Sequence, residues 1–208
     1  SAVVAAAAAE EGLVDLEEDA LGMLTRWRHP EPWWEGPVTL RMLLAHRAGV
    51  NVPGFPGYRM DESIPELTRL MDGVPDKNEP IRVVKQPGAQ QEYSGGGFLI
   101  AQLAIEDHTG IPFEDLAERL VFGPLGLELS TYRTLTSADR GRVAVGYRSD
   151  GSEVAGGGWH QYPEMAAASM WTTPIEYAAI VIDVMRSYEF GSGVVLDRDT
   201  ARLLLDPD

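Results

Sequence analysis

The sequence predicts a mostly helical protein with little strand, and three observations carry that expectation. Residues able to cap a helix stand directly before apolar runs of helical spacing, at Thr39, Thr173 and Asp197. Glycines close several of those runs, at Gly12, Gly49, Gly110 and Gly191. Strand-like character is confined to short stretches, Ile81 to Val83 and the alternating Val143, Val145 and Tyr147.

In chain order, residues 2 to 11 are strong helix formers stopped by Gly12, and alanines all round place this helix at the centre of a helical layer. Val14 to Asp19 reads as a surface connection, and Trp27 to Trp34 as an irregular aromatic loop. Thr39 caps a helix from Leu40 to about His46, with His46 read as a structural histidine. A loop rich in proline and glycine spans 51 to 61. Ser63-Ile64-Pro65-Glu66 has capping-box spacing ahead of Leu67, Leu70 and Met71. The apolar run after Gly97 continues to about His108, where a histidine suits the negative end of the helix dipole. Pro112 restarts a helix that Gly123-Pro124-Leu125-Gly126 breaks. Ser149 to Ser152 supplies a hairpin turn, Thr173 caps a long helix through Met185, and Asp197 caps a last one from Arg198 to Leu205.

Composition removes whole classes of function. The net charge of −15 gives a field that repels nucleic-acid phosphates and anionic lipid heads. No run is long and apolar enough to span a membrane. The absence of cysteine excludes a disulfide framework, a thiolate metal site and a cysteine nucleophile. The four histidines, His29, His46, His108 and His160, stand far apart, so neither a metal nor another cofactor is expected. Lysine is scarce, with Lys77 and Lys85 the only two.

One stretch looks built to mount a site residue. In Glu92-Tyr93-Ser94-Gly95-Gly96-Gly97-Phe98, glycines permit positive φ or a very close approach of backbone, and Tyr93 sits at the lip. A second loop, Gly156-Gly157-Gly158-Trp159-His160-Gln161-Tyr162, is loaded with aromatics. It reads either as the wall of a cleft or as a packed corner of core.

Taken in order, several stretches resemble the serine β-lactamase and penicillin-binding-protein superfamily, in its class C-like serine hydrolase branch. They are Gly12-Leu13-Val14-Asp15-Leu16, Val38 to Val50, Pro87-Gly88 with Glu92 to Phe98, Phe122 to Leu127, and Ala168 to Pro174. The resemblance implies an α+β fold, of which this chain is the mostly helical region, with the antiparallel sheet largely missing. It implies an acyl-enzyme mechanism built on an S-x-x-K serine, a Tyr-x-Asn motif and a late K-T-G or H-x-G strand.

The chain departs from that pattern in three ways. It contains no S-x-x-K, which the alignment puts a few residues before Ser1; it stops before the third motif; and Gly95 stands where the asparagine would be. Residues 1–208 are therefore expected to be a partial β-lactamase-like domain, inactive by itself. The motif carries over Tyr93 as the catalytic proton shuttle, with Ser94 and Gly95 as its substrate-side neighbours. Trp159, His160 and Tyr162 are expected to line the cleft. The expected partner is a small ester, amide or lactam, with an esterase lean because Gly95 lacks the amide. Self-association through surfaces meant for the sheet is also expected. A non-catalytic remnant or binding module of the same fold is the alternative.

Overall fold

The computed structural model describes residues 1–30 and 32–206. Ten helices and one two-stranded ribbon are seen among them: α1 (Ala2–Glu10), α2 (Ala20–Met23), α3 (Leu40–Leu44), β1 (Tyr58–Arg59), α4 (Leu67–Met71), α5 (Gly95–Thr109), α6 (Phe113–Ala117), α7 (Gly123–Leu125), β2 (His160–Gln161), α8 (Met165–Ala168), α9 (Pro174–Phe190) and α10 (Arg198–Leu205). A turn of π-helix, Glu118–Phe122, joins α6 to α7.

The core is organised on α5. Every residue from Leu99 to Ile105 is buried, so this helix is apolar on all sides and needs neighbours on all sides. It packs against α8, α2, α3 and α6. Each fully buried Leu or Ile contributes roughly 1.5–3 kcal/mol, and Leu99, Ile100, Leu103 and Ile105 all qualify. The exception within the run is Gln102, which is equally buried: its Oε1 accepts from the Ala166 amide at 3.1 Å and ties α5 to α8. The alanine helix α1 is buried from Val4 to Ala8 against α6, α10 and the π turn, so it is a core helix while α5 holds the centre.

The caps behave as their chemistry demands. The side chains of Thr39, Ser94, Thr173 and Asp197 each accept from a first-turn amide, and Gly110, Gly126 and Gly191 end their helices in the left-handed conformation. The expected break over Gly123 to Gly126 falls at Gly126, which ends the helix in the left-handed conformation. Two local expectations fail. Ser63 forms no capping box: Glu66, which that box would place inside the helix, is extended and stands as the cap residue of α4, which begins only at Leu67. Ile81–Val83 and Val143–Tyr147 form no strand, only the single bridges Val50↔Val83 and Tyr147↔Glu153. Val145 and Tyr147 are exposed, so alternation there has no sheet to bury its apolar face.

The ribbon is short and antiparallel, with Tyr58 opposite Gln161 and Arg59 opposite His160. No described helix is long and apolar enough to cross a membrane. No group of three potential ligands suited to a metal occurs among the described residues.

Candidate active site

Tyr93 stands directly before Ser94, the cap of α5, and is 67 % exposed. Its ring lies against the His46 imidazole, centroids 4.4 Å apart, and Phe98 is a second ring beside that imidazole at 5.1 Å. His46 is held in the left-handed region at φ +58°, which is costly for a residue with a side chain. Three bonds hold it there and around it. Its carbonyl accepts from the Glu92 amide at 2.8 Å, its Nδ1 accepts from the Ser94 amide at 3.1 Å, and the Gly88 amide bonds the Arg47 carbonyl at 2.8 Å. An Nδ1 that accepts leaves the proton on Nε2, and burial holds the imidazole below its usual range, so His46 is a neutral platform. The nearby cation, Lys85, is ion-paired with Glu92.

The first two glycines after Ser94 act by close approach. Gly95, Gly96 and Gly97 are the first helical residues of α5, and none has positive φ. A Cβ at Gly96 would sit 2.7 Å from the Asn51 carbonyl oxygen, and one at Gly95 would sit 3.2 Å from both Phe55 and the Pro53 carbonyl. The segment from Asn51 to Phe55 therefore lies directly on the helix start. The Gly95 and Gly96 amides bond the Pro53 and Val52 carbonyls at 3.2 and 2.9 Å. Asn51 anchors this segment, donating to the Pro80 carbonyl at 2.9 Å and accepting from the Arg82 amide at 2.7 Å.

The same segment reaches the second glycine-rich loop. His160 Nδ1 donates to the Pro56 carbonyl at 2.7 Å, and Tyr162 packs over Gly57 so closely that a Cβ there would meet its ring at 2.7 Å. Thus 51–59 is the spine that connects the Tyr93 turn to His160 and Tyr162, which are half-buried. Trp159 is buried and packs edge-on against Trp171, 6.2 Å between centroids. It sits inside the corner of core rather than on a surface. Ser94 is buried as well: its hydroxyl donates to the Asn51 carbonyl at 2.8 Å and accepts from the Gly97 amide at 2.9 Å. Both hydroxyl functions are thereby committed to the helix cap. His46, Phe55 and Pro53 are the neighbours that sequence reasoning did not assign; a positive φ at histidine and a loop folded back on a helix leave no local signature.

An α-helical scaffold centred on one buried helix, with a phenol presented at that helix's first turn and a short antiparallel ribbon beside it, is the helical part of a β-lactamase-like fold. The chain belongs to the β-lactamase family, whose model matches residues 1–206, within the superfamily of serine β-lactamases and penicillin-binding proteins. Solved structures of similar fold include an octameric penicillin-binding protein homologue from Pyrococcus abyssi (19 % identity, TM-score 0.70), which matches 97 % of this chain and 45 % of its own. A D-amino acid amidase from Ochrobactrum anthropi SV3 (24 %, TM-score 0.69) shares 97 % of this chain and 56 % of its own. A penicillin-binding protein from Bacillus halodurans (22 %, TM-score 0.67) shares 97 % and 60 %. The chain thus spans about half the length of the structures it resembles. No curated protein sequence matches it.

Proposed function

We propose that this chain is the helical part of a longer serine hydrolase domain, in which Tyr93 moves the proton during formation and breakdown of an acyl-enzyme, and that the enzyme favours esters. The observation that carries the reading is the contrast at one helix start: an exposed phenol fixed on a neutral imidazole, and two residues later a glycine covered by Pro53 and Phe55. In the longer domain a cation supplied with the serine from outside these residues holds Tyr93 as the phenolate; the serine attacks the carbonyl as its hydroxyl proton passes to that phenolate, and the phenol so formed gives the proton to the leaving oxygen or nitrogen as the bond breaks. Gly95 presents no side-chain amide to the substrate, and a missing directed hydrogen bond costs about 1–3 kcal/mol. That loss falls on lactams and peptides, which carry an acyl-amide beside the scissile carbonyl, and spares simple esters. The surface supports the longer domain: Ile175, Tyr177, Ile182 and Met185 of α9 are large apolar side chains left exposed, which a further part of the domain would cover.

The test is kcat/KM for a short-chain p-nitrophenyl ester and for nitrocefin on the longer protein that the reading requires. The ester is expected to be preferred, with Tyr93→Phe losing about 10²-fold or more on both substrates. Gly95→Asn is expected to gain lactam acylation only when Phe55 is also shortened, because the asparagine's Cβ and Phe55 compete for the same space. A wild type that prefers nitrocefin removes the ester lean, and a Tyr93→Phe enzyme with unchanged rates removes Tyr93 from the mechanism.

A further inference from the structure

The backbone on both sides of Tyr93 is tied to a single residue. The Glu92 amide donates to the His46 carbonyl at 2.8 Å, and the Ser94 amide donates to His46 Nδ1 at 3.1 Å. Between those two bonds the Tyr93 ring rests on the imidazole. The left-handed backbone of His46 lets its carbonyl and its ring reach the same short segment, and such a strained angle persists where the contacts around it dictate it. Each contact makes a separate demand. The Ser94 amide needs a side-chain acceptor, the phenol needs a flat partner, and the positive φ suits histidine, asparagine and aspartate better than other side chains. Histidine meets all three.

We propose that His46 is the positioning residue of Tyr93, a three-point clamp that fixes both the backbone and the ring of the phenol, and that it clamps only as the neutral Nε2–H tautomer. The clamp stands on the geometry of this chain, and its use in catalysis rests on the reading of Tyr93 given above. Nδ1 has one lone pair, and a proton placed there would set two N–H donors against each other. Ser94 is 3 % exposed, and its amide has no other acceptor among the described residues, so the lost bond would fall on the cap of α5.

The groups around the imidazole leave it as the one that switches. From the turn before Tyr93 come Lys85 and Glu92, paired with each other; that bond, with a second from Gln90, holds the Glu92 carboxyl below its usual range. The Arg47 guanidinium donates to the Gly88 carbonyl at 3.3 Å, and Arg41 of α3 is paired with Glu17. From α5 the facing side chain is the uncharged Phe98, and the segment 51–55 carries no charge. Burial holds the imidazole below its ordinary 6.5. A folded-state value below the unfolded one means that the stability His46 contributes is present above pH 6.5 and is lost as pH falls through the folded value. The clamp therefore opens on the acid side.

Two substitutions take it apart. His46→Asn keeps an acceptor close to the place of Nδ1 and tolerates the left-handed angle, while it removes the ring and the titration. His46→Phe keeps a ring and removes the acceptor. Heteronuclear NMR of this chain reads the result. In the wild type the Ser94 amide resonance is expected to move with pH along the same curve as the His46 ring nitrogens, which should show the Nε2–H tautomer above the midpoint. At about pH 7.5 the Ser94 amide should exchange with deuterium roughly tenfold faster in His46→Phe than in the wild type, with His46→Asn within about threefold of the wild type. An Nδ1–H tautomer, a Ser94 resonance that ignores the His46 titration, or equal exchange in His46→Phe and wild type overturns the proposal. The first two need no variant, so they decide the matter even if His46→Phe fails to fold. In the longer enzyme, His46→Phe should lower kcat on the p-nitrophenyl ester by about tenfold with KM within about twofold, and a change in KM alone overturns the positioning role. Unchanged rates in Tyr93→Phe would remove the catalytic reading instead, and the spectra of this chain would still judge the clamp.

Discussion

The two glycine triplets of this protein have the same composition and opposite physics. Gly95 to Gly97 sit in right-handed helical backbone that any residue adopts; Gly95 and Gly96 are needed because Asn51, Pro53 and Phe55 press onto the helix start, while a Cβ at Gly97 would meet only ordinary contacts, the nearest the Leu43 carbonyl oxygen at 3.6 Å. Gly156 to Gly158 all have positive φ, at +85°, +136° and +98°, and they carry the chain from the 147–153 hairpin back into β2. The first triplet is a packing device and the second a steering device. A glycine run in a sequence therefore identifies a place where a side chain is forbidden, while the reason, space or backbone angle, lies in the partner segment or in the path of the chain.

That contrast can be broken by substitution. The largest effect is expected for Gly96→Ala, whose methyl group would fall 2.7 Å from a backbone oxygen that cannot move without dragging Asn51 off Pro80 and Arg82. Overpacking against backbone should cost about 2–4 kcal/mol, read as a lower urea midpoint. Should Gly96→Ala leave that midpoint unchanged, the close approach is not real. Gly157→Ala follows. Its nearest obstacle is the flexible Met60 side chain at 3.1 Å, so the cost is chiefly the angle of +136°, roughly 1–3 kcal/mol by the same measurement.

The finest test exchanges alanine for asparagine. Asparagine tolerates positive φ better than alanine, but it is larger. At Gly156, φ +85°, asparagine should be milder than alanine by a few tenths of a kcal/mol; at Gly96 it should be the harsher of the two. An identical ranking at both positions would mean that one mechanism governs both triplets.

Helix existence and helix ends were legible where the signal is chemical and local. A threonine, serine or aspartate oxygen ahead of an apolar run found its amide at Thr39, Thr173 and Asp197, and glycine found its left-handed stop at Gly110 and Gly191. The Ser63 box failed, since Glu66 is itself extended and the helix starts only after it. Alternation over Val143 to Tyr147 misled for another reason. A strand is made by its neighbours, and here they are only a local hairpin, Tyr147 bridged to Glu153 and Gly146 bonded to Val154 and Gly158, with no sheet beyond it among the described residues. At the candidate site, Tyr93 could be picked out by its place in the motif. Burial of Ser94 and Trp159 could not, because a serine that caps a helix and a serine that meets substrate are written alike.

By itself, then, the sequence determined the helices and their caps, the family through five motifs in order, and Tyr93 as the residue to examine. Those properties depend on residues within a few positions of one another, where backbone angles and side-chain hydrogen bonds act. Tertiary structure alone decided the centre on α5, the His46 platform under Tyr93, and the Asn51 to Phe55 segment over Gly95. Each of these joins residues dozens of positions apart, and its energy comes from exclusion of water at a contact that exists only once the chain has closed on itself.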